Sequence, residues 1–472
     1  MKKLFSLLLA ATMTFSLTLP ALADHYTYSE PEKSTMMPRS TPETHGMSSQ
    51  YILDLLDAFD YADAEVHNIL MAIDGEVVFE GHYAPYTALD PHIMFSGTKI
   101  FTNAAVGVAV TEGYLHLDDY VYDVLKDYVT QDVSELQSKV QLKHLLTMTS
   151  GVDRFMSGSE LRPLTTSWIE HILTEPIVHE PGTYYLYSSG NTMLSSAMVT
   201  VATGKTCLEL LNTTGFCEEL GIKNFTWDMS PDGFNAGHGG IKITAEDLAK
   251  VGQLYMNGGV WNGKQILSKE WCDLAIGYEK TVENQGTYAY HWTAYEDGLY
   301  YTATGSYGQT LAICPKLNMV IAIQAGTKQN IGELLYQNIF KPYGDALDAG
   351  TVPEPDDALS AALAKRAENL NLMFTTDFTA SPIGELVDDV TFTAAENQYG
   401  ITTLSLDVHD DYIDYTMTDA RGTHTIRNGI WQWLKGETSM TSNYTHHQYQ
   451  YPTEPVYAYA EWKDANTLQL TW

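Results

Sequence analysis

The sequence predicts an α+β protein, with an antiparallel sheet flanked by helices, an inserted helical lobe, and a small all-β C-terminal domain. One reason is that strand patterns occur at both ends of residues 24–345, with helical patterns between them. Another is the run from Ile100 to Gly113, which is apolar on nearly every side, as is typical of a buried helix. The third is a series of alternating strands after Ser381.

The start of the chain resembles a secretory signal peptide. Residues 1–3 are Met-Lys-Lys, residues 4–19 are mostly apolar, and residues 21–23 form a small-x-small cleavage site. We therefore predict a signal peptide over residues 1–23, cleavage after Ala23, and a secreted or periplasmic protein. No cysteine lies near this site and no later stretch is long and apolar enough to span a bilayer, so no membrane anchor is predicted.

Residues 24–345 are predicted to form the first domain. Early in it, strands 68–73 and 76–83 are joined by Asp74-Gly75, a strong hairpin signal. The later predicted strands are 300–306, 309–313 and 319–325, and a helix over 331–340 closes the domain.

Residues 346–380 are predicted to be a linker and a helix, because the region around them is rich in Gly, Pro and Asp before a helical pattern begins. Residues 381–472 are predicted to form a separate all-β sandwich or barrel. Its predicted strands are 390–394, 401–408, 412–419, 423–427, 456–462 and 467–472.

Charge and cysteine content argue against nucleic-acid binding, a disulfide scaffold and a zinc site. The 472 residues include 59 Asp and Glu against 26 Lys and Arg, a net charge of −33, which repels nucleic acid. The four cysteines are too few for a disulfide scaffold in a chain of this length, so we expect buried thiols. No cysteine and histidine cluster has zinc spacing, and we predict no metal and no cofactor. The cysteines are Cys207, Cys217, Cys272 and Cys314.

The segment Phe95-Ser96-Gly97-Thr98-Lys99 opens the predicted buried helix. Lys99 follows Ser96 by three residues, so both side chains lie on one face of the helix. Burial favours a neutral amine, which can take the serine proton, and the positive end of the helix stabilises an alkoxide. Ser96 and Lys99 therefore fit the Ser-x-x-Lys pattern of covalent serine catalysis.

Two later motifs follow in order, Tyr187-x-Ser189 and Ala303-Thr304-Gly305-Ser306. Together with Ser96-x-x-Lys99 they resemble the serine β-lactamase and penicillin-recognising family. The class C-like branch, with its esterases, D-amino-acid peptidases and 6-aminohexanoate-dimer hydrolases, is the most similar. Residues 144–151 and 261–268 also resemble this branch, and the resemblance covers roughly residues 41–340.

The resemblance implies a role for each motif. Ser96 would be the nucleophile, Lys99 would orient and deprotonate it, and Tyr187 would move the proton between the two half-reactions. The backbone N–H groups of Ser96 and Ser306 would form the oxyanion hole. Thr304 and Gly305 would form the strand edge that the substrate approaches closely.

Two positions depart from the family pattern. The second motif usually ends in Asn, where this chain has Ser189, and Asn191 is a candidate replacement. The third motif often begins with Lys or His, which helps to hold a substrate carboxylate, where this chain has Ala303. The departure favours esters or amides with uncharged ends, and Arg154 or Arg162 would be the place for a replacement cation.

The sequence therefore predicts an exported serine hydrolase that cleaves an ester or amide bond in a small molecule or short peptide. Two alternatives remain open. One is a β-lactamase or D-amino-acid peptidase, and the other is a non-catalytic binding or sensor protein that keeps the penicillin-binding shape. No oligomeric state is predicted.

Overall fold

A computed structural model describes residues 36–223, 225–277, 282–372, 381–397, 399–440 and 453–472. The predicted signal peptide lies outside the described residues. Among the described helices none is both long and apolar enough to cross a membrane.

The main sheet of the first domain has seven strands in the order β2-β1-β12-β11-β10-β9-β8, and all its described pairings are antiparallel. The sheet therefore combines strands from the beginning and the end of the domain, as the sequence predicts. The strands of this domain are β1 (Val66–Ile73), β2 (Glu76–His82), β3 (His92–Ile93), β4 (Thr226–Trp227), β5 (Ile241–Ile243), β6 (Val260–Trp261), β7 (Lys264–Gln265), β8 (Tyr288–Ala289), β9 (Trp292–Tyr295), β10 (Tyr300–Gly305), β11 (Gln309–Cys314) and β12 (Met319–Ala325).

Helices cover the sheet and form the inserted lobe between β2 and β8. The α-helices are α1 (Ser49–Tyr61), α2 (Lys99–Thr111), α3 (Val121–Leu125), α4 (Glu135–Ser138), α5 (Leu142–Leu146), α6 (Gly158–Leu161), α7 (Trp168–Leu173), α8 (Ser189–Thr203), α9 (Cys207–Thr213), α10 (Phe216–Leu220), α11 (Ala245–Met256), α12 (Lys269–Ile276), α13 (Ile331–Leu335), α14 (Lys341–Ala349), α15 (Asp357–Glu368) and α16 (Gly384–Val387). The predicted closing helix is interrupted, because a π-helical stretch, Tyr336–Phe340, separates α13 from α14.

The buried helix predicted after Ser96 is confirmed as α2. Eleven of its thirteen residues, from Lys99 to Ala109, are buried, and it packs against α8 and α9 within the larger apolar core. A second core cluster lies on the other side of the sheet, beneath α1 and α13. The sheet is therefore covered on both faces, which confirms the α+β prediction. All four cysteines are free and buried, as predicted.

In the described residues the C-terminal domain forms one mostly antiparallel sheet of seven strands, which confirms that it is all-β. Strand β17 was not predicted from the sequence, because a glycine and two charged residues interrupt its alternation. A parallel pairing joins β16 to β18. The strands are β13 (Val390–Thr393), β14 (Thr403–Val408), β15 (Tyr412–Asp419), β16 (Gly422–Ile430), β17 (Leu434–Thr438), β18 (Glu454–Asp464) and β19 (Thr467–Thr471).

Charged contacts join this domain to the first one close to Ser96. Lys242 of β5 forms a buried ion pair with Glu454 of β18. Asp90 accepts hydrogen bonds from Lys435 Nζ at 2.9 Å and from the Tyr457 hydroxyl at 3.0 Å. Since β5 pairs with β3, which ends three residues before Ser96, the C-terminal domain supports the strand that leads into the candidate site.

Candidate active site

Ser96 lies in a tight 3-10 turn, Phe95–Thr98, that leads directly into α2. The Met94 carbonyl closes the turn by accepting from the Gly97 N–H at 2.8 Å. Phe95 has a φ of 44°, a left-handed conformation that is unusual for a bulky residue. Its ring packs against Tyr307, which also has a positive φ of 61°. Strained residues of this kind persist where the surrounding structure holds them, often at functional sites.

Lys99 contacts Ser96 directly. Its Nζ donates to the Ser96 Oγ at 2.9 Å and to the His238 carbonyl at 3.1 Å, and the residue is only 2% exposed. The predicted juxtaposition of the hydroxyl and the amine is therefore present.

The glycine-rich segment 235–241 holds the start of α2. Besides the His238 carbonyl, it supplies the Gly237 carbonyl, which accepts from Thr102 Oγ1 at 2.8 Å. A Cβ at Gly237 would lie 2.5 Å from the Thr192 carbonyl oxygen of α8, so only glycine allows this close packing. The helix that carries Lys99 is thus held between α8 and a loop more than a hundred residues away in sequence.

Tyr187 lies just before α8, with its ring facing Lys99. The Lys99 Nζ is 4.9 Å from the centre of the Tyr187 ring, within the range of a cation–π contact. Tyr288 packs edge-on against the same ring, with centroids 5.6 Å apart. Ser96, Lys99 and Tyr187 are therefore brought together from the start of α2 and the loop before α8.

The edge of β10 forms the other side of the site. Gly305 has extended backbone, and a Cβ there would lie 2.1 Å from the Met94 carbonyl oxygen and 3.1 Å from the Gly97 nitrogen. From the sequence, this glycine was predicted to allow close approach of the substrate. The structure shows that glycine is needed because the turn carrying Ser96 itself packs against the strand.

These elements enclose a cavity of about 460 Å³. No carboxylate lines it among the described residues, and Lys99 is its only charged lining residue there. The lining residues are Ser96, Lys99, Tyr185, Tyr187, Gln285, Thr287, Tyr288, His291, Thr293, Thr304, Gly305 and Ser306.

The titratable neighbours of Lys99 and Tyr187 are held uncharged. Burial, and then the Lys99 ammonium, lowers the pKa of His291 to about 3, with a backbone contact to Lys99 acting in the opposite direction. Burial, reinforced by Tyr187, raises the pKa of Tyr185 to about 12 and that of Tyr288 well above its usual range. The walls of the cavity therefore consist of neutral rings, hydroxyls and amides around one amine.

Three residues from the sequence motifs do not line the cavity. Ser189 is 4% exposed at the start of α8, and Ala303 is 3% exposed and packs in the core. Asn191 is also buried, and its side chain accepts from Ser150 Oγ at 2.8 Å and donates to Met148 Sδ. Asn191 therefore does not replace the missing asparagine, since the helix turns its side chain into the core.

The two arginines suggested as replacement cations lie outside the cavity as well. Arg154 forms ion pairs with Glu160 and Glu175 at the surface. Arg162 does not line the cavity; its guanidinium approaches Gly239, and burial together with the charge of Arg162 lowers the pKa of His238. Neither arginine is placed to hold a substrate carboxylate in the cavity.

His291 and Tyr288 line the cavity although the sequence did not predict them as site residues. Tyr290 and Trp292, on either side of His291, pack instead against Trp271 and Tyr255 respectively. The sequence feature that could have identified His291 and Tyr288 is the alternation of β8 and β9, in which every second side chain faces the same side of the sheet. A tight turn at residues 290–291 interrupts that alternation, so periodicity alone did not identify the lining residues.

Much of the chain is similar in sequence to known proteins. The family model described as Beta-lactamase matches residues 67–332. The 6-aminohexanoate-dimer hydrolase of Paenarthrobacter ureafaciens is 24% identical over 274 residues, which cover 52% of this chain and 69% of that enzyme.

Solved structures show the same fold. A structure described as a candidate 6-aminohexanoate-dimer hydrolase from Bacillus anthracis has a TM-score of 0.55 and 22% identity, covering 66% of this chain and 88% of that one. A family VIII carboxylesterase has a TM-score of 0.51 and 15% identity, covering 65% of this chain and 99% of that one. At these identities the similarity establishes the fold alone.

Proposed function

Because the chain belongs to the β-lactamase family, whose model matches more than half of its length, we propose that it is an exported serine hydrolase. It cleaves an ester or amide bond through an acyl-enzyme on Ser96. The observation that carries the proposal is the 2.9 Å contact between Lys99 Nζ and Ser96 Oγ, at the wall of a cavity that Tyr187 also lines.

The reaction follows from these positions. The Ser96 Oγ attacks the substrate carbonyl carbon, its proton passes to the deprotonated form of Lys99 or Tyr187, and the carbonyl oxygen becomes an oxyanion. The backbone N–H groups of Ser96 and Ser306 stabilise that oxyanion, since both residues line the cavity and Gly305 keeps them close together. The proton is then delivered to the leaving group as its bond to the carbonyl carbon breaks. Water, deprotonated by the same groups, releases the acid and restores Ser96.

The substrate is proposed to have uncharged groups on both sides of the scissile bond. The similar proteins named a 6-aminohexanoate-dimer hydrolase and a carboxylesterase suggest an amide or ester as the scissile bond, whereas the uncharged groups are inferred from the lining of the cavity. In the described lining no arginine is present, and the one amine is already engaged with Ser96. A substrate carboxylate would therefore find no dedicated partner.

The test is covalent labelling with a fluorophosphonate probe, followed by turnover of p-nitrophenyl esters, D-amino-acid amides and nitrocefin side by side. We expect labelling that disappears in Ser96→Ala, and turnover of esters or neutral amides. Preferred turnover of nitrocefin or of the D-amino-acid amides would instead support the β-lactamase or peptidase alternative. A folded wild-type protein without labelling or turnover would support the non-catalytic alternative.

Export is proposed from residues 1–23, and its test is separate. In a host that secretes proteins, the mature chain should begin at Asp24, as read by N-terminal sequencing. Retention of Met1 in the secreted or the cellular protein would contradict it.

A further inference from the structure

Two polar groups at the wall of the cavity lack hydrogen-bond partners. Neither ring nitrogen of His291 makes a hydrogen bond of normal geometry to a described residue, although the Lys99 backbone lies close enough to affect its pKa, and the Tyr288 hydroxyl makes none either; all three atoms are shielded from solvent. Both residues line the cavity together with Ser96 and Lys99. Because leaving a buried polar group unpaired is unfavourable, each such group in a native structure calls for an explanation.

His291 lies in a turn whose backbone conformation is strained. Tyr290 and His291 have φ values of 49° and 71°, two consecutive residues in the left-handed region. Such conformations cost free energy and persist where neighbouring contacts impose them. Here the contact is a hydrogen bond of 2.8 Å from the Asn103 side chain to the Tyr290 carbonyl.

Asn103 is itself held rigidly by two further hydrogen bonds. Its side-chain oxygen accepts from the Tyr255 hydroxyl at 2.6 Å and from the Trp271 ring nitrogen at 2.9 Å. Asn103 follows Lys99 by one turn on the same face of α2. One rigid helix therefore positions both Lys99 and the strained turn that brings His291 to the cavity.

The charge state of these groups determines what they can bind. With its low pKa, the His291 ring is neutral near pH 7, and so has one N–H donor and one nitrogen acceptor. Tyr288 remains a protonated phenol, which both donates and accepts. Such a pair suits a group that is polar and uncharged.

We propose that His291 and Tyr288 form a subsite that binds an uncharged polar group of the substrate, such as a secondary amide or a hydroxyl, near the scissile bond. This inference rests on the proposed function, because it concerns the substrate of the same cavity. A secondary amide presents one donor and one acceptor, which match the neutral imidazole. The second side-chain torsion of histidine is broad, so rotation of the ring can present a nitrogen to a ligand.

Two matched substrate pairs test the subsite on the full-length protein. In the first pair, the p-nitrophenyl ester of N-acetyl-β-alanine is compared with p-nitrophenyl hexanoate, which has the same chain length but no amide. In the second pair, 4-acetamidophenyl acetate is compared with 4-propylphenyl acetate, which moves the amide to the leaving group. Each kcat/KM is divided by the rate of hydrolysis of the same ester by hydroxide, which removes differences in intrinsic reactivity.

We expect the wild-type protein to prefer the amide-bearing ester in at least one pair by about tenfold, the size of one or two neutral hydrogen bonds. His291→Gly should bring that ratio close to one, and glycine adopts the positive φ without strain. His291→Asn should retain part of the preference, because asparagine keeps a donor and an acceptor and tolerates the left-handed region. Asn262→Gly is the control, since it changes a positive-φ residue of the β6–β7 turn outside the cavity and should leave the ratio unchanged.

The outcomes separate this inference from the proposed function. The subsite would be overturned if the wild-type protein gave ratios near one in both pairs, or if the preference survived in His291→Gly. Fluorophosphonate labelling of Ser96 would persist in either case, so the proposed function would stand. Absence of labelling and of all turnover in the wild-type protein would overturn both. If His291→Gly does not fold, the wild-type ratios and the His291→Asn variant still decide the question.

Discussion

Gly305→Ala should disable the site by separating β10 from the turn that carries Ser96. The added Cβ would lie 2.1 Å from the Met94 carbonyl oxygen, whereas contacts of this kind are tolerated only beyond about 3 Å. The strand and the turn must therefore move apart by roughly 1 Å. A misplacement of that size at a catalytic site can lower the rate by about 100-fold. The overpacking itself should lower the free energy of unfolding by about 1–3 kcal/mol.

The assay is kcat/KM with a p-nitrophenyl ester, with urea unfolding of the same preparation. Gly436→Ala is the matched control, because Gly436 also lies in a strand and a Cβ there has no neighbour closer than 4.0 Å. We expect the control to keep both activity and stability. If Gly305→Ala were folded and turned over the ester within twofold of wild type, the close approach of β10 would not be what positions Ser96 and Ser306.

Three further predictions follow from particular contacts. Ser96→Ala, Lys99→Ala and the double variant should fall to the same residual kcat, because the two residues act as a unit; additive losses would contradict the mechanism. Glu454→Gln should lower the free energy of unfolding by about 3 kcal/mol, because it replaces the buried carboxylate that pairs with Lys242 by a neutral amide; the exposed Glu437→Gln is its control, and an equal effect of both would refute the role of the pair. Burial, opposed by the charges of Lys242 and Arg162, raises the pKa of Asp228 from 3.8 to about 6. The stability that the protonated carboxyl contributes is therefore present below pH 3.8 and is lost as the pH rises through about 6. Asp228→Asn should thus match wild type near pH 4 and exceed it by about 3 kcal/mol at pH 8 in urea unfolding, and a difference independent of pH would contradict this.

The strands of the C-terminal domain could be predicted from the sequence, but its contacts with the first domain could not. Its strands were predictable from alternation, because every second residue of a half-buried strand is apolar. Its attachment was not, because the Lys242–Glu454 pair joins residues 212 positions apart and each looks like an ordinary surface charge in sequence. Removal of residues 381–472 would therefore also remove the carboxylate that neutralises Lys242.

The sequence by itself determined the features that depend on local pattern. The spacing of Ser96 and Lys99 places them on one helix face whatever surrounds them, and the apolar run after them requires burial. The β1–β2 hairpin and the fold class follow from turn residues and strand patterns in the same way.

Only the tertiary structure decided which residues face the cavity. Asn191 and Ala303 share motifs with the site, yet packing turns both side chains into the core. His291 belongs to no motif, and it reaches the cavity because Asn103, 187 positions from Tyr290, holds the turn before it. Contacts over such distances depend on how α2, α8 and the sheet pack together, and no pattern within a single segment encodes that packing.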